Sequence, residues 1–257
     1  SGGLAAVYTP AFAERRTIMR LLFFLTLFLS LPAAADVREF ASGSTQATLL
    51  ELFTSEGCSS CPPAEKWLGK LKSDPRLWRE IVPLAWHVDY WNYLGWRDPY
   101  SSKRWSQRQR DYRRSGGLAA VYTPAFAVNG DEWKGWFGAR QLPAPSARTG
   151  ALKLRLEDGE VSAEFISTDR MNGDWRLHVA LLGFGIETTV TAGENAGKQL
   201  SHDFVVLDLV EADSVDGHWS LRLPAVSQPQ VDSLGLAAWV TKAGDMAPVQ
   251  VVGGWLP

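Results

Sequence analysis

Cysteine is scarce in this chain: Cys58 and Cys61 are the only two among 257 residues, so a network of disulfides cannot staple the fold. An excess of charge of one sign is missing too. The net charge is −2 with the histidines neutral, which gives no general attraction for nucleic acid or anionic lipid, and neither partner is expected. Nor is there a long apolar run. Leu21–Leu31 (LLFFLTLFLSL) spans eleven residues, well short of the ~20 that a bilayer-crossing helix needs. What is abundant is apolar side chain: 46% of residues are hydrophobic and 12 are tryptophan, the composition of a packed protein. The length suits two ordinary domains or one large one.

The run at Leu21–Leu31 follows Arg20 and precedes Pro32 and Ala33-Ala34-Ala35. A basic start, a short apolar core and an A-x-A ending predict a secretory signal peptide over 19–35, cut before Asp36. A periplasmic or secreted protein is expected, with no membrane attachment after cleavage. The opening SGGLAAVYTPAFA recurs letter for letter at Ser115–Ala127. One segment cannot serve two structural roles, so 1–18 is read as an artefact or upstream extension, with Met19 the natural start.

Ala47–Thr54 reads as a buried strand, Ala64–Lys72 as a helix with Trp67, Leu68 and Leu71 on one face, and Ile81–Tyr90 as a second strand. The basic stretch in Pro99–Arg114 predicts a solvated helix that Gly116-Gly117 ends. Ala125–Val128 and Glu132–Trp136 flank Asn129-Gly130, a hairpin signal. Strand, helix, strand, helix and hairpin predict a four-stranded α/β unit over 36–141. Residues 142–150 read as a Pro/Ser/Gly linker, and 151–257 as a β-sandwich-like domain of short strands.

Cys58-Ser59-Ser60-Cys61 sits between a strand and a helix. A helix start presents free N–H groups and partial positive charge, which favour thiolate over thiol. Cys58 is therefore the candidate nucleophile and Cys61 the resolving thiol. Two other readings stay open. An inert disulfide would close so short a loop that it restrains the unfolded chain little. A metal site would need ligands beyond two cysteines, with His87 the available third. Tyr122, Thr123 and Pro124 precede the third strand, at the sheet edge where the first strand ends. A cis Thr123-Pro124 bond there would orient Thr123 toward an extended substrate, and the thiols and proline are expected to meet at a solvent-open rim. Glu56, His87 and Asp89 are candidate acid/base or auxiliary groups, His87 and Asp89 sharing a strand face. As alternatives, His87 is a satisfied semi-buried residue and Asp89 a cap. Trp91, Tyr93, Trp96 and Tyr100 line a groove or seal a domain interface.

At these residues the chain resembles the thioredoxin superfamily. ELFTSEGCSSCPPAE, HVDYWNYLGWRDPY, VYTPAFAVNG and GENAGKQLSHDFVV more closely resemble a family of secreted bacterial thioredoxin-like proteins, domain of unknown function 1223. The resemblance implies a thioredoxin-like α/β N-terminal domain, a mixed four-stranded sheet with flanking helices. There are departures. Gly57 precedes Cys58 and leaves the sulfur more open, and Pro62-Pro63 push the helix start later, toward Ser60. The buried acid of thioredoxins falls at Leu52, while Glu51 is one residue off and faces the other way. Gly193–Gly197 reads as a turn, followed by His202 and Asp203, with a packing or recognition role as the default.

The expected function is thiol–disulfide exchange on protein or small-molecule disulfides and thiols, without a cofactor and with a redox partner protein to recharge the pair. A Cu/Zn-binding protein using Cys58, Cys61 and His87, or a non-catalytic binding module with a structural disulfide, are the alternatives.

Overall fold

The computed structural model describes residues 2–6, 37–138, 141–144, 147–168, 173–224 and 230–257. The chain divides into Ser1–Ala34 and Ala35–Pro257, and the regular elements among the described residues lie in the second unit. The expected leader at 19–35 lies outside the described residues, as does 1–18 apart from 2–6.

Fourteen strands and two α-helices form among the described residues. The strands are β1 (Arg38–Ala41), β2 (Thr48–Thr54), β3 (Ile81–His87), β4 (Ala125–Val128), β5 (Asp131–Glu132), β6 (Gly150–Glu157) and β7 (Glu160–Ser167), then β8 (Trp175–Phe184), β9 (Ile186–Thr189), β10 (Gln199–His202), β11 (Val205–Ser214), β12 (His218–Arg222), β13 (Ser233–Lys242) and β14 (Pro248–Trp255). The helices are α1 (Pro62–Gly69) and α2 (Lys103–Ser115).

This architecture overturns the expected pairing of a thioredoxin-like α/β domain with a separate β-sandwich. The protein is mostly β, and one eight-stranded sheet, ordered β14-β13-β8-β11-β3-β2-β4-β5, draws strands from both sides of the expected 142–150 linker. The cause is the free edge of β3. Every residue of β2 and β3 is buried, so neither strand can stand at a solvated edge. β2 takes one side of β3 in parallel, Thr48 opposite Ile81 through Thr54 opposite His87. On the other side Ala85 N–H donates to Phe204 O at 2.8 Å, and Val205 pairs with Ala85, also in parallel. β11 thereby joins the two expected domains. β4 runs antiparallel to β2.

The second, four-stranded sheet (β1-β6-β7-β12) packs on β8, β13 and β14. Alternation within β8 serves both sides: Leu177 and Val179 enter the core between the two sheets, while Ala180 and Leu182 join a core that contains Trp86, Trp105 and α1 residues. β1 and β10 had no sequence signal of their own. They are short strands completed by pairing with β6 and β9.

Glu51 follows the same alternation. It turns away from the thiols to meet α2, where its Oε1 lies 2.7 Å from Arg108 Nη2 and accepts from Trp86 Nε1 at 3.0 Å. Tyr112 OH donates to its other oxygen.

Candidate functional site

β2 ends at Thr54, and the chain turns through Ser55–Gly57 into the cysteines. Cys58 N–H donates to Ser55 O at 3.1 Å, and Cys61 N–H to Cys58 O at 3.2 Å. The helix begins at Pro62, two residues before the expected Ala64 and two after Ser60, because the two prolines lack N–H groups and fit its first turn. Cys61 is the N-cap residue, its carbonyl accepting from Ala64 and Glu65. Cys58 lies outside that first turn, so the helix dipole is not its main influence.

Both thiols are free. Cys58 is held down to about 6, chiefly by a hydrogen bond from the Cys61 thiol, against the opposing effect of burial and with further help from Ser60 and Thr123. The Cys58 sulfur is 3.3 Å from Ser60 Oγ and 3.9 Å from the Thr123 carbonyl oxygen. Burial pushes Cys61 well above the usual thiol range. One sulfur is thus prepared to be a thiolate and the other to keep its proton.

The Thr123–Pro124 peptide is cis, and it brings Thr123 beside Cys58 from sixty-five residues away. Trp91 Nε1 donates to Thr123 Oγ1 at 2.8 Å. Tyr122 faces elsewhere, its hydroxyl donating to Glu132 Oε1 at 2.6 Å and its carbonyl accepting from Gln109.

The expected solvent-open rim is corrected by exposure: Cys58 is 1% and Cys61 0% exposed, beneath exposed Ser59 and Ser60. Gly57 does not open the sulfur. Its missing side chain makes room for Trp91, whose Cβ would lie 2.9 Å from a Cβ built there. The loop between β9 and β10 also closes on the pair. Glu194 Oε2 accepts from Ser59 N–H at 3.0 Å, and buried Asn195 donates through Nδ2 to the Glu56 and Cys58 carbonyls at 2.8 and 3.0 Å.

Behind the thiols lies a buried polar cluster. His87 Nδ1 is 2.7 Å from Asp98 Oδ2. Glu56 accepts from Trp96 Nε1 at 2.7 Å, and its other oxygen is 3.0 Å from His202 Nε2. His202 Nδ1 is bonded to Glu65, which also accepts from Thr54 Oγ1. At Glu65, His87, Asp98 and His202 burial opposes the charge, yet pairing prevails. Glu65 is held below its ordinary value by His202, and Asp98 by His87. His87 is raised by Asp98, and His202 well raised by Glu65 and Glu56.

Of the predicted auxiliary groups, Glu56 and His87 therefore join this cluster. Asp89 does not: its carboxylate accepts from Ser106 of α2. The predicted metal set of Cys58, Cys61 and His87 is not the one assembled. Among the described residues, Glu65, His87 and His202 are the group whose ligand atoms all lie within 4.8 Å of one another. Glu65, Asp98, Glu194, Asn195 and His202 went unassigned from sequence. Glu65 had a signal, because it precedes Leu68 by three residues and so shares the helix's buried face.

A family model described as "Protein of unknown function (DUF1223)" matches residues 49–241. No curated protein matches. Protein AGR_C_4864 from Agrobacterium tumefaciens, a solved crystal structure, is 29% identical over 81% of this chain and 93% of its own, with a TM-score of 0.55. HBP35 of Porphyromonas gingivalis is 15% identical over 84% of this chain and 76% of its own, also at 0.55, a likeness of fold alone.

Proposed function

The chain belongs to the DUF1223 family, and we propose that it carries out thiol–disulfide exchange through Cys58 and Cys61. The observation that carries this reading is the asymmetry of the two thiols, Cys58 lowered to about 6 and Cys61 raised by burial. An inert disulfide needs no such division, whereas exchange needs a thiolate that attacks and a second thiol held in reserve.

In the reducing direction the Cys58 thiolate attacks a substrate disulfide. The substrate S–S bond breaks, a Cys58–substrate bond forms, and one substrate thiolate leaves. Cys61 loses its proton and attacks Cys58 Sγ, forming the Cys58–Cys61 disulfide and releasing the second substrate thiolate. Two electrons pass from the pair to the substrate, and the reverse sequence oxidises a dithiol. A partner of the opposite redox state must restore the pair. Thr123, beside the sulfur, is the contact proposed for an extended substrate, which enters by displacing Ser59 and Ser60 from over the sulfurs. The kinship with thioredoxins is proposed for this chemistry alone.

An exported location goes with the reading and rests on the residues of 19–35. Reduced protein should catalyse insulin reduction or the oxidation of a peptide dithiol, and Cys58→Ser should abolish it. Equal rates from the two proteins would end the proposal.

A further inference from the structure

We infer that Glu65, His87 and His202 form a binding site for a divalent first-row transition-metal ion, separate from the cysteines. Three features of the cluster carry the inference. The ligand atoms converge within 4.8 Å of one another, against the roughly 3.5 Å separation expected around an ion with bonds of about 2.0–2.2 Å. Closing on an ion requires His202 to give up its proton and Glu65, now bonded to His202 Nδ1, to turn toward the ion.

The second feature is His87. It is fully buried, and its Nε2 has no partner among the described residues. A buried polar atom left in that state costs roughly 1–3 kcal/mol, and ligation would satisfy it. Its other nitrogen is bonded to Asp98 at 2.7 Å. A carboxylate on Nδ1 leaves Nε2 as the ligating atom and fixes the ring's orientation, the arrangement that supports metal-bound histidine. The His87 and His202 rings stand 5.1 Å apart at 81°, and a ring nitrogen of His202, exchanging its contact with Glu65 or Glu56 for the ion, is the second imidazole ligand. Glu65 is oriented by Thr54 Oγ1.

Third, there is a way in. A cavity of about 500 Å³ between α1 and β10, lined by Glu65 and His202 with Pro62, Lys66, Ser201 and Asp203, reaches two of the three ligand residues from the surface, and His87 is not part of its lining. Two imidazoles and one carboxylate select zinc, iron, cobalt or nickel over calcium or magnesium, and three protein ligands leave a position free. The set uses neither thiol, so it stands or falls apart from the exchange proposal.

The test uses the chain with Cys58→Ser and Cys61→Ser together, titrated with Zn(II) and Co(II) and followed by native mass spectrometry. One retained ion per chain is expected. Asp98→Asn in the same background should weaken binding about 10–100-fold, and His87→Ala should abolish stoichiometric retention. X-ray absorption of the Zn(II)-loaded protein with both cysteines present should show a nitrogen and oxygen shell only. This measurement, with Glu65→Gln, decides the matter if His87→Ala fails to fold. No retained ion without the cysteines, a sulfur shell at about 2.3 Å, or affinity unchanged in Asp98→Asn and Glu65→Gln would overturn the inference.

Discussion

The Cys61 thiol is the largest influence holding Cys58 down to about 6, so removing that donor should move Cys58 in a calculable way. A hydrogen bond to a charged group contributes roughly 1.5–3 kcal/mol, and at about 1.36 kcal/mol per pKa unit its loss is about 1–2 units. Cys61→Ala should therefore raise Cys58 to about 7–8. At pH 7 the wild-type residue carries about ten thiolates per thiol, and the variant between about one per thiol and one per ten. Alkylation by iodoacetamide, followed by mass spectrometry across pH 4–9, reads this directly because only the thiolate reacts. The wild-type rate should fall as pH drops through about 6, and the variant's profile should lie about 1–2 units higher. Cys61→Ser keeps a donor in place and should stay close to wild type. If Cys61→Ala leaves the profile at its wild-type position, the Cys61 hydrogen bond is not what makes Cys58 acidic.

Three other perturbations test the frame around the pair. Glu51→Ala strands the Arg108 guanidinium, 9% exposed, without its carboxylate, and should cost roughly 3–5 kcal/mol in urea unfolding; a loss under 1 kcal/mol contradicts the buried pairing. Asn195→Ala removes the side-chain donor to the Glu56 carbonyl and one of the two donors to the Cys58 carbonyl, which keeps Cys61 N–H. It should cost about 1–3 kcal/mol and speed Cys58 alkylation, and unchanged stability and rate would show that the β9–β10 loop does not hold the cysteine turn. Gly57→Ala forces a contact of 2.9 Å with Trp91 Cβ. Overpacking of that kind typically costs about 1–3 kcal/mol, with the Trp91 indole displaced from Thr123, and a variant as stable as wild type refutes the close approach.

Local signals carried much of the secondary structure. The apolar runs of β2 and β3, the Asn129-Gly130 turn and the Gly116 stop each appear where their residue types demand, since backbone sterics and burial act over a few residues. The same local reading found the cysteines, Thr123 and Pro124. It named Glu56 and His87 but missed Glu65, Asp98 and His202, because the cluster's members come from the turn after β2, α1, β3, the loop after β3 and β10. A histidine at 202 has nothing in its neighbourhood to announce a glutamate at 65.

By itself, then, the sequence determined most of the strands, with β1, β10 and all of the Glu132–Trp136 strand beyond Glu132 excepted, the two helices and the candidate thiol pair Cys58 and Cys61. Tertiary structure decided which domain picture holds, because a fully buried strand such as β3 must fill its second edge and β11 happened to be the strand that fits. It also decided that Glu65 faces the thiols' surroundings, by helix phase, whereas the turning away of Glu51 was already legible from strand alternation.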